Sequence, residues 1–282
     1  MLVPYSSILK KIRPGKWALP TCNTFDLEVT MAILKAAEDE RSPIAIEISE
    51  RSLEHGGGEV FVQAVANYAD KVRVPVALHY DHGTSLLEIK RALTLPFSSV
   101  MVAYDVSASL ASNIRRAQSI VKIAKKKRIS VQGEVGHVTG PKDNWRLPKA
   151  WLTDPDKAAE YVEQTNVDAL SVSVGNRHGI ASGSVKLEWD LIKKLRKKLD
   201  VPLVLHGGSG LRAPSYVRAV KAGISVFNFD TDLRFAYGRT LGRTLDKQRD
   251  LIDPRLSIRK ARKAVSLVVQ KKVRSLGANG KA

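Results

Sequence analysis

The chain is poor in cysteine and in acids. Of its 282 residues only Cys22 is a cysteine, which excludes an internal disulfide and any thiolate zinc cluster. A metal site here has to be built from histidine and carboxylate. No apolar run approaches the roughly 18 residues that a membrane span requires, and residues 1–20 hold no apolar stretch of signal-peptide type. A soluble, intracellular, cytoplasmic protein is therefore expected. Internal repeats and low-complexity tracts are absent apart from basic clusters. The 28 Asp and Glu face 46 Lys and Arg, leaving a formal charge of +18 and a pI near 10. What is present is a globular composition, 44% hydrophobic, which excludes a disordered chain. The length fits two domains of about 150 residues or one α/β barrel of about 250.

Short β-branched runs alternate with longer amphipathic segments from end to end. The strand pattern falls on residues 17–22, 43–49, 74–81, 98–105, 129–135, 167–175, 202–207 and 224–230. The helical period falls on 27–40, 59–71, 85–95, 110–127, 156–165, 189–199, 214–222, a segment from 231 onward, and 258–275. Eight strands, each followed by a helix, predict a parallel sheet, and right-handed crossovers in that number favour closure into a (β/α)8 TIM barrel. The expectation is an α/β fold, a single domain over residues 1–282, with an extra C-terminal helix. A doubly wound open sheet is the alternative. Two stretches break the even spacing. Residues 136–153, rich in Gly, Pro, Lys and Trp, read as a mobile active-site loop, and residues 238–254 carry Arg and Asp into the last helix.

In a barrel the chemistry sits on the loops at the C-terminal ends of the strands. The third strand ends His79-Tyr80-Asp81-His82-Gly83 and the fifth ends with Glu134. The sixth is followed by Asn176-Arg177-His178-Gly179, the seventh ends His206-Gly207-Gly208-Ser209-Gly210, and the eighth ends Asn228-Phe229-Asp230-Thr231. Of six histidines, His82, His178 and His206 hold rim positions, each beside a glycine that lets backbone approach a ligand. Three imidazoles with coordination left over form the pattern of a catalytic zinc site. His79, on the opposite strand face from Tyr80, reads as a core histidine or a neighbour of the site, and His55 and His137 as loop residues. The turns 207–210 and 228–231 follow strands seven and eight, a pair that frequently forms a phosphate site from backbone N–H groups and a helix N-terminus.

Asp81-His82-Gly83, Glu134-Val135-Gly136, His178-Gly179, Leu205-His206-Gly207-Gly208-Ser209-Gly210, the Asn228 to Thr231 turn and Asp253-Pro254-Arg255 together resemble the class II, zinc-dependent fructose-bisphosphate and tagatose-bisphosphate aldolases. The resemblance runs over about residues 3–282. It implies a zinc ion on His82, His178 and His206, with Glu134 contributing to the metal region, and leaves room for a monovalent cation. It implies that Asp81 handles the hydroxyl proton during C–C cleavage. Gly179, Gly207, Ser209, Asn228 and Thr231 would surround the dihydroxyacetone-phosphate half of a sugar phosphate, and Asp230 would contact a substrate hydroxyl. Arg255 would reach the second phosphate from a neighbouring subunit, so a homodimer or homotetramer is implied. Asn23 and Glu28 also fall at familiar places near the first strand. The implied activity is reversible cleavage of a ketose bisphosphate, first of all fructose 1,6-bisphosphate.

The resemblance breaks at three places. Where the family's loop carries a Glu that moves protons at the carbon centre, this chain has Lys142 between Pro141 and Asp143. Where strand four ends Asp-Gly-Ser, it has Ala103-Tyr104-Asp105, and where Lys often precedes the Asn of strand eight, it has Val226. A lysine serves as a base only with a lowered pKa, which makes Asp143 or Asp105 the candidate replacement. Other readings stay open. Lys142 and Ala103 suit a diverged barrel that binds sugar phosphate without efficient cleavage. Basic runs at 122–128, 193–198 and 259–263 and at Lys271, Lys272 and Arg274 raise nucleic-acid binding. Those runs lie on or beside predicted helices with no aromatic interleaved, which reads as a solvated outer face and argues against specific nucleic-acid recognition. A barrel metallohydrolase is disfavoured because strand one holds no His-x-His pair.

Overall fold

Eight parallel strands close on themselves in chain order in the computed structural model, which describes residues 1–12, 15–140, 148–179, 185–247 and 253–282. They are β1 (Leu19–Asn23), β2 (Ile44–Ser49), β3 (Val76–Gly83), β4 (Ser99–Val102), β5 (Ser130–Val135), β6 (Ala169–Val172), β7 (Leu203–Leu205) and β8 (Ile224–Phe229). The pairing of β1 with β8, from Leu19↔Val226 to Cys22↔Phe229, removes both edges and rules out the open sheet. Nearly every strand residue is buried, because one face packs inside the barrel and the other against helices. That double burial is why the strands read as apolar runs rather than alternating ones.

The helices are α1 (Tyr5–Leu9), α2 (Leu27–Asp39), α3 (Glu50–His55), α4 (Glu59–Lys71), α5 (Leu86–Ala92), α6 (Leu110–Lys127), α7 (Pro155–Thr165), α8 (Trp189–Lys198), α9 (Ala213–Ala222), α10 (Thr231–Asp246) and α11 (Arg255–Ser275). Asp26, Ser49, Ser85, Ser109 and Asp154 cap α2, α3, α5, α6 and α7 by accepting backbone N–H groups of the first turn, each stabilising its helix by about 1 kcal/mol. α11 is the extra C-terminal helix. Its buried stripe of Ala261, Val265, Val269 and Val273 repeats every four residues, and it packs on α2 and α10.

The structure departs from the expected pattern in two ways. α1 and α3 are one-and-a-half-turn helices that carry too little periodicity to stand out, and α1 is fixed by tertiary contact, with Tyr5 buried and stacked on His79 at 5.7 Å. Four strands, β4, β6, β7 and β8, also end short of their apolar runs at the rim, whereas β1 and β3 run one and two residues further. Residues 173–175, for instance, leave β6 to pack against loops, where Thr153 bonds Ser173 on both sides of its backbone.

Candidate metal centre and active site

Period-two alternation along β3 turns Tyr80 toward α3, where its hydroxyl donates to Glu50 Oε1 at 3.1 Å. The same alternation places Asp81 where Asn23 Nδ2 on β1 donates to its Oδ2 at 2.8 Å. At the strand end His82 has a left-handed backbone, φ 54°, a conformation that costs a non-glycine residue roughly 1–2 kcal/mol. Gly83 follows because a Cβ there would lie 2.5 Å from the Met101 carbonyl oxygen. The strained turn brings the His82 ring to 4.7 Å from His206 and 5.0 Å from His178, centroid to centroid.

The other two histidines are held by each other's loops. Asn176 Nδ2, after β6, donates to the His206 carbonyl at 3.0 Å. Gly207, with φ 66°, packs so tightly on that loop that a Cβ would sit 2.2 Å from the Arg177 carbonyl oxygen. The His178 N–H donates to the Thr139 carbonyl at 2.7 Å, tying in the loop after β5. His178 and His206 are thus 5.8 Å apart, and one ring nitrogen from each of the three imidazoles lies within 4.8 Å of the others.

The donor set suits a zinc-like ion. Burial first, then the charge of His82, pushes the His206 pKa well down, so its imidazole is neutral with a lone pair to give. Behind it stands Gln132 on β5, whose amide nitrogen is 3.1 Å from His206 Nε2 while its buried Oε1 has no partner. Asp81 is buried, which alone would raise its pKa. The charges of His82, His206 and His79 and the Asn23 hydrogen bond outweigh burial and hold it at about 2. Its Oδ1 has no hydrogen bond and stands 3.8 Å from His82 Nε2.

Glu134 stands beside the triad rather than in it. Its Oε2 accepts the Tyr104 N–H at 3.0 Å and its Oε1 the Ser171 hydroxyl at 3.3 Å, and burial raises its pKa against the pull of His82. Asp105 is turned into the cap of its own loop, accepting from Ser107 N–H and Oγ, so it does not stand in for the family's strand-four Asp. Val226 is wholly buried. Lys142 and Asp143, with the rest of 141–147, lie outside the described residues.

At the other side of the rim, Gly208–Gly210 form a 3-10 turn facing the start of α10. Ser209 Oγ accepts the Asp232 N–H at 3.2 Å, joining the two loops. Asn228 is buried with its amide 3.2 Å from His206 Nε2, and Asp230 pairs with Arg234 at 2.5 Å. Gly179, exposed, and Thr231, half-exposed, border the same rim. Arg255 opens α11, 87% exposed by side chain and paired with Asp253 at 2.7 Å.

Sequence reasoning passed over Gln132 and one acid. Glu47, alone among the apolar residues of β2, is buried, with Oε1 2.5 Å from Asn228 Nδ2. It can bring a carboxylate oxygen within 4.8 Å of His79 and Asp81 ligand atoms. Burial, then the Asp81 charge, raises its pKa well above the usual carboxylate range, which favours its protonated form. The signal was there: a single acid in an otherwise apolar strand.

The family described as fructose-bisphosphate aldolase class-II matches residues 3–281. The chain belongs to the class II fructose-bisphosphate aldolase family. It is accordingly a metal-dependent aldolase, a carbon–carbon lyase, and the family is typically zinc-dependent. A fructose-bisphosphate aldolase of Geobacillus stearothermophilus is 34% identical over 285 residues, covering 100% of this chain and 99% of the relative. A 6-phospho-5-dehydro-2-deoxy-D-gluconate aldolase of Halalkalibacterium halodurans is 33% identical, covering 100% and 98%. The crystal structure of the YdjI aldolase from Escherichia coli K12 superposes with a TM-score of 0.86 at 29% identity, both chains covered in full. No helix among the described residues is long and apolar enough to cross a membrane.

Proposed function

We propose that this aldolase reversibly cleaves fructose 1,6-bisphosphate to dihydroxyacetone phosphate and a phosphorylated aldehyde, as a zinc enzyme of the cytoplasm acting through one barrel domain over residues 1–282. The observation that carries the reading is the convergence of three imidazole nitrogens within 4.8 Å of one another, with a buried carboxylate next in sequence. His82, His178 and His206 would hold the ion, and Glu134 stands near enough to serve its surroundings. Zinc, when bound, supplies a Lewis acid for the negative charge that develops beside the carbonyl as the C3–C4 bond breaks.

The chain's own residues do the rest. Asp81 is ionised throughout the working pH range, and Asn23 occupies its Oδ2. Oδ1 is left to accept the C4 hydroxyl proton as the bond breaks and to return it in condensation. Backbone N–H groups around Gly179, Gly207 and Ser209 and at the Thr231 end of α10 would hold the phosphate of the dihydroxyacetone half. Asn228 lies beneath that half and Asp230 would contact a substrate hydroxyl. Fixing the phosphate aligns the scissile bond. Arg255, turned outward in its own chain, would meet the second phosphate of a neighbouring subunit in a homodimer or homotetramer.

A second substrate has specific support, because relatives at 33% identity carry the name 6-phospho-5-dehydro-2-deoxy-D-gluconate aldolase. A coupled assay of the zinc-loaded protein against fructose bisphosphate, tagatose bisphosphate and that phosphosugar decides between them. Cleavage of fructose bisphosphate that chelator abolishes and zinc restores is the expected result; full turnover in chelator rejects the metal role.

A further inference from the structure

Apart from Arg255, the excess positive charge of +18 has no part in the proposed function, and the fold gathers a share of it in one place. Between α8 and α9, on the outer wall of the barrel, lies a cavity of about 530 Å³ lined by Trp189, Lys193, Arg196, Lys197, Arg218 and Lys221. Five cations surround it and no carboxylate lines it. Lys193 makes a loose pair with exposed Asp190 at 3.5 Å, and Arg196 is tied to the Val201 carbonyl at 3.0 Å. Lys197, Arg218 and Lys221 make no ion pair among the described residues. Like charges around a concavity repel unless an anion enters it.

The second observation concerns aromatics. Along the sequence the basic runs have no ring among them, but folding sets Trp189, which opens α8, against Arg218, which lies mid-way along α9. The Arg218 guanidinium stacks 4.1 Å from the indole centroid. A cation-lined groove holding a stacked Arg–Trp pair has the two components of a single-strand site, charge for the backbone and an indole face, covered by Arg218, that an incoming base would take over. The position fits as well. Barrel helices run back from the rim, so their C-terminal ends lie at the opposite end of the barrel. There the C-terminal ends of α8 and α9 bring Arg196, Lys197 and Lys221 to the groove, so that end of it lies away from the triad.

We propose that the α8–α9 groove binds single-stranded nucleic acid, sequence-tolerantly, through its phosphates and one base stacked at Trp189, with the aldolase rim left free. The test uses the whole protein and a labelled single-stranded RNA of about 16 nucleotides, followed by fluorescence anisotropy over a salt series. Four neutralised phosphates predict a log–log salt slope near −3, about a 50-fold loss of affinity from 50 to 200 mM salt. The triple change Lys193→Gln, Lys197→Gln, Lys221→Gln should weaken binding at least tenfold and flatten the slope by about 2. Trp189→Leu should weaken it about tenfold at unchanged slope. A control of equal charge loss, Lys125→Gln, Lys126→Gln, Lys127→Gln, should change affinity less than about threefold, and aldol turnover should be unchanged in all three. Equal weakening by the control, tighter binding of duplex than of single strand, or equal competition by an acidic peptide would each overturn the proposal. The lysine triple changes only exposed side chains, so it keeps the test decisive even if Trp189→Leu destabilises the wall.

Discussion

Asp81 and His82 are sequence neighbours with opposite protonation needs, and the backbone resolves the conflict. A strand would point them to opposite faces, but the left-handed φ of His82 lets the carboxylate stay with the interior while the imidazole joins the rim. In the proposed mechanism Asp81→Asn therefore keeps its metal, read as zinc per chain, and loses cleavage by about 10²–10⁴-fold; undiminished turnover would reject the proton-transfer role. His79 makes a different prediction. Burial foremost lowers its pKa from 6.5 to about 4, so the folded protein binds its proton less well than the unfolded chain does. The stability this contributes is complete above about pH 6.5 and drains away as pH falls toward 4, by about 3 kcal/mol in all. Denaturant midpoints at pH 7 and pH 4.5 should separate accordingly, and less so in His79→Gln. At this scale the sequence revealed what announces itself by adjacency or repetition: Asp81 beside His82, and the three His–Gly pairs that follow strands, at 82, 178 and 206. Glu47 was readable as a lone acid in an apolar run, whereas Gln132 and the Arg218–Trp189 stack stayed hidden because each depends on a neighbour brought from another strand or helix.

Among the elements, α11 does more than cover α2 and α10. Its Lys272, only 11% exposed by side chain, bonds Asp232 at 2.5 Å and the Tyr216 hydroxyl at 2.6 Å. Tyr216 in turn donates to the Gly208 carbonyl at 2.7 Å, so the last helix props the turn proposed to bind phosphate. Lys272→Met should raise KM for the phosphorylated substrate several-fold more than it lowers kcat, while Lys272→Arg recovers part of the loss; steady-state kinetics on both variants check it. Equal effects on both parameters would mean the tie is structural only. The long helices were legible because their apolar stripes persist over three or more turns: α6 was expected at 110–127 and spans Leu110–Lys127. α1 and α3 were not, since five or six residues give a period nothing to repeat over.

For the molecule as a whole, the alternation of eight strands and helices made the barrel readable, and what the alternation could not convey was its register, which depends on how side chains pack across strands. The three proposed ligands come from the ends of β3, β6 and β7, so the barrel must close before they meet. Zinc should stabilise a fold already formed. Chelator is expected to lower Tm by about 5–10 °C while leaving far-UV circular dichroism at 25 °C unchanged; collapse of the dichroism would mean the ion is needed to fold. The same closure has a consequence during synthesis. β1 finds its second neighbour only in β8, and 200 residues lie between Asn23 and Ile224. At about 5–20 residues per second, one edge of β1 stays open for roughly 10–40 s on the ribosome. A five-residue strand that is buried on both faces in the finished barrel needs shielding for that long, and its partner arrives almost last.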